Sequence, residues 1–312
     1  MAIVVGTEDG AQVVGGGRSL AGRAITALTP GEHCVWGIAD GSVIVRAPDV
    51  ARAEGSAGDL AWVEVVGSDD PPRCLLPTSR GVLVGTGSGG LAWWRGGTVL
   101  EAIESFDDVE GRDRWWQVPG LDLGPNTRSL AEAPDGTLYV NVHVGGIYRS
   151  RDRGATWEPT IDQETDVHQV RAFAGGLVLA ATGMAGLCVS RDEGDSWKSI
   201  TEGFPTGGFG LAYARALVRW HDTVVVTASN GPSTDDAGVY RWSFDSDERV
   251  ERCTEGLPER FADNIDTGCL ATDGVEVAFG TTEGSVYVSD DGGAHWEEVC
   301  AGLPAVRSVA LT

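Results

Sequence analysis

Three eight-residue segments of this 312-residue chain carry one pattern in register: Ser150-Arg151-Asp152-Arg153-Gly154-Ala155-Thr156-Trp157, Ser190-Arg191-Asp192-Glu193-Gly194-Asp195-Ser196-Trp197 and Ser289-Asp290-Asp291-Gly292-Gly293-Ala294-His295-Trp296. The common form is S-x-D-x-G-x-(T/S/H)-W. It suits a tight turn between two strands, because the Asp carboxylate accepts from nearby backbone N–H groups and Gly permits positive φ. The Trp opens the next strand and is expected to bury its ring between neighbouring units. Length alone would suggest about two domains, but repeated units share one continuous core.

A broader marker is a Gly followed by apolar strand residues. It starts at Gly10, Gly41, Gly90, Gly146, Gly186, Gly238 and Gly284, with spacings of 31, 49, 56, 40, 52 and 46 residues. Most copies follow a β-rich run such as Ile3-Val4-Val5-Gly6-Thr7 or Thr223-Val224-Val225-Val226-Thr227. They read as the second and third strands of successive blades. A third marker, Gly203-Phe204-Pro205, Gly256-Leu257-Pro258 and Gly302-Leu303-Pro304, with a weaker copy at Gly120-Leu121, falls after the fourth strand. Pro there stops the strand. The chain opens directly on second and third strands and ends on Val306-Arg307-Ser308-Val309-Ala310-Leu311, which reads as an inner first strand. The expected fold is all-β: one domain over residues 1–312, a seven-bladed β-propeller of four-stranded blades. The C-terminal strand completes the first blade and removes the open seam of the ring.

Composition bounds the partners. The net charge is −23, Lys198 is the only lysine, and the other basic residues are Arg. Such a chain repels nucleic acid and anionic membrane in general. Adaptation to a high-salt cytoplasm is the preferred reading of this acidity, and a GC-rich genome is the other. No run of about 18 apolar residues exists, so no membrane insertion is expected. The opening residues lack a basic region and a long apolar stretch, so they read as a strand and a cytoplasmic location is expected. The six cysteines form no CxxC pair, which leaves a zinc site of that type unsupported and favours buried free thiols.

The whole chain resembles the Asp-box (BNR-type) propeller superfamily. Its members include sialidases, large xyloglucanases, sortilin-type receptors and the photosystem II stability/assembly factor. Seven blades in a small chain look most like the assembly-factor group. In those families the Asp-box lies between the third and fourth strands, away from the ligand face. The resemblance therefore implies a structural role for Asp152, Gly154 and Trp157, for Asp192, Gly194 and Trp197, and for Asp291, Gly293 and Trp296. Sialidases have six blades and usually an Arg-Ile-Pro motif, which is absent here.

No catalytic set is intact. The histidines His33, His143, His168, His221 and His295 form neither HxH nor HExxH. The Gly-x-Gly-x-x-Gly match at Gly85–Gly90 precedes a strand, and the acidic run Asp107–Asp113 lacks a calcium loop's ligand spacing. One constellation stands out. The predicted inner strands start at Arg23, Arg73, Arg128, Arg171, Arg215 and Arg307, each followed by a small and then an apolar residue, and Gly268 takes the seventh place. A repeated position on inner strands forms a ring around the channel mouth, where Arg can clamp a carboxylate or phosphate. Carboxylates on the connections between second and third strands, among them Glu8, Asp9, Asp40, Asp235, Asp236 and Glu283, could instead neutralise each Arg as an inter-blade strut. The leading expectation is a non-catalytic binding or assembly propeller for a protein or an anionic small molecule, with no cofactor and no metal. Its candidate contacts are the Arg ring, His168, Tyr213 and the turn from Ser229 to Ala237. The alternatives are a hydrolase or lyase acting on an anionic sugar, and a purely structural subunit. Oligomeric state is not legible.

Overall fold

A computed structural model describes residues 2–48, 60–115, 124–206, 212–245 and 249–312. The weak marker at Gly120-Leu121 lies outside the described residues. The strands form seven antiparallel sheets of four. Blades are numbered here in chain order of their second strands. Blade 1 pairs Val306–Leu311 with Ile3–Thr7, then Gly10–Val13 and Arg18–Ser19. The inner strands of blades 2 to 7 are Ile25–Gly31, Pro72–Thr78, Thr127–Glu132, Val167–Ala172, Tyr213–Trp220 and Leu270–Thr272. Each inner strand packs against the next, and the order returns from blade 7 through Val306–Leu311 to blade 2. The result is a closed seven-bladed propeller. Closure is by register, with Ile3 opposite Leu311, Val4 opposite Ala310 and Val5 opposite Val309.

The core is divided in the same way. Seven clusters of buried side chains each join two adjacent blades. One sets Leu179, Leu187 and Ile200 of blade 5 against Leu217, Val226 and Trp242 of blade 6. Another sets Ala278 and Val286 of blade 7 against Val306, Val309 and Leu311 of blade 1. Burial of one such Leu or Ile contributes about 1.5–3 kcal/mol, so the interfaces between blades hold the ring. The blades approach closely at Gly85, where a Cβ would stand 2.4 Å from Thr127 Cγ2 of the next inner strand and 2.6 Å from Cys74 Sγ. All six cysteines are free thiols. Burial raises Cys74 and Cys269 to about 12.

The three Ser-x-Asp turns end the third strands of blades 4, 5 and 7. In the first, Ser150 Oγ donates to Asp152 Oδ1 at 2.8 Å and accepts from Gly154 N at 2.7 Å, while Asp152 accepts from Thr156 N at 2.8 Å and Thr156 Oγ1 at 2.5 Å. Ser190 and Asp192 repeat every bond, with Ser196 in place of Thr156. His295 keeps only the backbone bond to Asp291, at 2.9 Å. The Trp rings differ from one another. Trp296 is fully buried against Phe279, whereas Trp157 and Trp197 are only partly buried. Strand alternation places these turns on the face opposite the entries of the inner strands.

Candidate functional site

The inner strands carry a shared irregularity that positions the channel mouth. In five blades the ladder between first and second strands skips residues near its start, a β-bulge that turns one side chain away from the regular alternation. The skipped residue is Arg307 in blade 1, Arg73 in blade 3, Arg128 in blade 4, His168 in blade 5 and Arg215 in blade 6. In blade 2 the ladder skips Ala27 and Leu28. This revises the ring expected from sequence. Arg171 pairs in the regular ladder with Leu179, three residues beyond the bulge, and Arg23 precedes its strand. Gly268, in the connection entering blade 7, has φ +91° and lines the mouth.

The cavity at this mouth measures about 350 Å³. Arg73, Arg128, Arg171 and Arg307 line it, together with Gln169 and Asp266. The six predicted Arg separate into two groups. Arg23 pairs with Asp40 at 2.7 Å and Glu64 at 2.6 Å, Arg307 pairs with Glu8, and Arg215 pairs with Asp266. Only the Arg215–Asp266 pair links neighbouring blades as the expected struts would; Arg23 pairs within blade 2 and Arg307 within blade 1, and carboxylates raise both of their guanidiniums. Arg73, Arg128 and Arg171 belong to three successive blades. Among the described residues their guanidiniums have no ion pair or hydrogen-bond partner. Burial and the neighbouring Arg215 pull Arg128 down to about 10, and burial lowers Arg171. Guanidiniums stay charged at neutral pH, here in surroundings that oppose the charge.

Beside Arg128 lies a group of which the sequence marks only His168. His143 follows the second strand of blade 4, and Asp166 and His168 enter blade 5. His168 is fully buried, with Nδ1 2.6 Å from the carbonyl oxygen of Ala214. Its Nε2 lies 3.2 Å from Asp166 Oδ2, and His143 Nε2 lies 3.4 Å from Asp166 Oδ1. Burial, reinforced by Arg128, pulls His168 down to about 4 against the attraction of Asp166, so the ring is neutral at pH 7. Burial opposes the charge of Asp166, but the histidines and Arg128 outweigh it and hold the carboxyl at about 2. Tyr213 packs edge-on to His168 with ring centroids 4.8 Å apart, and its hydroxyl accepts from Arg215 at 3.1 Å. Thr267 Oγ1 reaches back to the carbonyls of Arg215 at 2.9 Å and His168 at 3.1 Å, tying the two bulges to the entrance of blade 7. The turn from Ser229 is fastened by its hydroxyl to Asn264 at 2.6 Å.

Fold and mouth together define a β-propeller with a basic channel entrance on an acidic body. The sequence model of the DUF6242 beta propeller domain matches residues 102–307, and the chain belongs to this family. No curated protein matches it in sequence. Among solved structures it is similar to the RRP9 WD40 repeats, with a TM-score of 0.63 and 16% identity over 99% of this chain and 89% of that one. The structure of U3-55K gives 0.62 and 16% over 93% and 86%. The GH74 xyloglucanase from Xanthomonas campestris gives 0.58 and 17%, covering 96% of this chain and 46% of that one. At these identities the likeness is one of fold. Among the described residues no helix is long and apolar enough to cross a membrane.

Proposed function

We propose that this chain is a non-catalytic binding propeller that captures an anionic ligand at its channel mouth. The observation that carries the reading is the division among the arginines. Arg23, Arg215 and Arg307 have carboxylate partners, whereas Arg73, Arg128 and Arg171 face one cavity with none among the described residues. Three guanidiniums left without a carboxylate among the described residues offer bidentate donors to a carboxylate, phosphate or sulfate. On a body of charge −23 the mouth is a local positive spot, and nearby charges dominate where water is partly excluded.

An acidic side chain of a partner protein and a small organic acid present the same chemistry to this mouth. The Ser-x-Asp turns are read as Asp-boxes with a structural role, since their side chains are consumed by their own turns on the opposite face. Residues 1–312 are read as one domain, and the acidic surface as adaptation to high salt. A panel of phosphate, sulfate, citrate and acidic sugars in thermal melts tests the reading. A melting temperature that rises with anion concentration supports it, and one that responds to none contradicts it. Turnover of an acidic sugar that Arg171→Ala abolishes would contradict the non-catalytic part.

A further inference from the structure

The facing of His168 and Asp166 raises a problem of electron pairs. The Ala214 carbonyl accepts from Nδ1 of His168 at 2.6 Å, which fixes the proton there. Nε2 is then the ring atom turned to Asp166, 3.2 Å from Oδ2, and a ring whose one proton sits on Nδ1 meets that carboxylate with a lone pair. Nε2 of His168 and Oδ1 of Asp166 are both buried and make no hydrogen bond among the described residues. Buried polar atoms left unpaired around this approach of ring and carboxylate call for a positive centre among them.

The dimensions identify its class. In a tetrahedral site with bonds of about 2.0–2.1 Å, ligand atoms stand about 3.3 Å apart. Asp166 lies 3.2 Å from the Nε2 of His168 and 3.4 Å from that of His143, one histidine to each oxygen. One ligand atom from each of the three residues falls within 4.8 Å of the others. The bond from Nδ1 to a backbone carbonyl is the outer contact that orients metal-bound imidazoles. His143 and Asp166 are each 19% exposed, so an ion can enter from solvent. We propose that His143, Asp166 and His168 bind a divalent transition ion of the zinc class, with a coordination position left over for an outside ligand. Two imidazoles and a carboxylate suit zinc or its first-row neighbours and not magnesium or calcium.

Arg128 opposes this ion. Its charge acts on both histidines, more strongly than that of Arg215, which acts in the same sense. The metal proposal does not rest on the anion reading, and Arg128 separates the two. Removing its charge weakens anion capture but strengthens metal binding.

The test is Co²⁺ uptake by the full chain in a chloride buffer, followed by visible absorption and competed with Zn²⁺. The wild type is expected to take up one Co²⁺ per chain with the spectrum of nitrogen and oxygen coordination, and Zn²⁺ should displace it. His143→Ala and Asp166→Asn should each weaken binding by about a hundredfold or more. His221→Ala, remote from the cluster, should leave it unchanged. Arg128→Gln should raise the affinity. Circular dichroism confirms that each variant is folded, and His143→Ala carries the test if Asp166→Asn is not. A wild type with no stoichiometric uptake, or uptake that persists in His143→Ala, would overturn the proposal. Loss of the anion response with Co²⁺ uptake intact would remove the anion reading alone.

Discussion

Arg215 Nε donates to Oδ1 of Asp266 at 2.6 Å, joining the inner strand of blade 6 to the connection that enters blade 7. Arg128 occupies the same bulge position two blades earlier and has no such partner. Sequence makes these two residues equivalent, and structure gives them opposite roles. One fastens neighbouring blades, and the other holds its charge toward the cavity.

The contrast predicts opposite effects of one substitution. Arg215→Gln breaks an ion pair whose Asp266 is half exposed, so solvent screens part of it, and the loss should be about 1–2 kcal/mol. Arg128→Gln removes a charge that burial and Arg215 disfavour, and stability should hold or rise. Urea melts of the two variants check this. Equal destabilisation by both would mean that Arg128 is also a strut.

The Ser-x-Asp turns should respond to acid. Bonds from the hydroxyl and N–H of Thr156 hold Asp152 at about 2, and Ser196 does the same for Asp192. Both lie below the ordinary 3.8. A depressed carboxyl stabilises the fold when ionised, so the contribution is complete above about pH 4 and disappears as pH falls toward 2. Melting temperature followed from pH 5 to 2 should fall more steeply in the wild type than in Asp152→Asn/Asp192→Asn. Parallel curves would show that these bonds do not stabilise the fold.

The tryptophans of the same motif should not behave alike. Trp296→Ala empties a fully buried site against Phe279 and should cost about 3–5 kcal/mol. Trp157→Ala and Trp197→Ala remove partly exposed rings and should cost less. Anion binding by the folded fraction should be unchanged in all three, because the turns lie on the face opposite the mouth. A folded Trp197→Ala protein without anion binding would contradict that separation.

These residues also show how much the sequence discloses. The blades are legible because local chemistry recurs along the chain: the Gly that starts a third strand in all seven, and the Ser-x-Asp turn and the Pro after a fourth strand in three each. Ring closure follows from the order of strands at the two ends. The mouth is legible only in part, because a bulge adds a residue and breaks the count along a strand. Aligning Arg171-Ala172-Phe173 with the other Arg-small-apolar segments hides the fact that His168 occupies the bulge. Asp266 is not among the carboxylates expected to neutralise the ring, since it comes from the connection between blades and not from a turn within one. His143 and Asp166 are brought together only by the stacking of two blades, and no motif within either segment marks them.

Anion binding at the mouth is the central claim, and calorimetric titration of citrate into the wild type and into Arg128→Gln/Arg171→Gln tests it most directly. The two side chains lack ion-pair and hydrogen-bond partners among the described residues, so the double variant should be folded and at least as stable as the wild type. The wild type should bind citrate with an affinity that weakens as salt rises, and the double variant should bind it at least about tenfold more weakly, with a smaller dependence on salt. Citrate binding of equal strength in both proteins, or no binding in the wild type, would contradict the account.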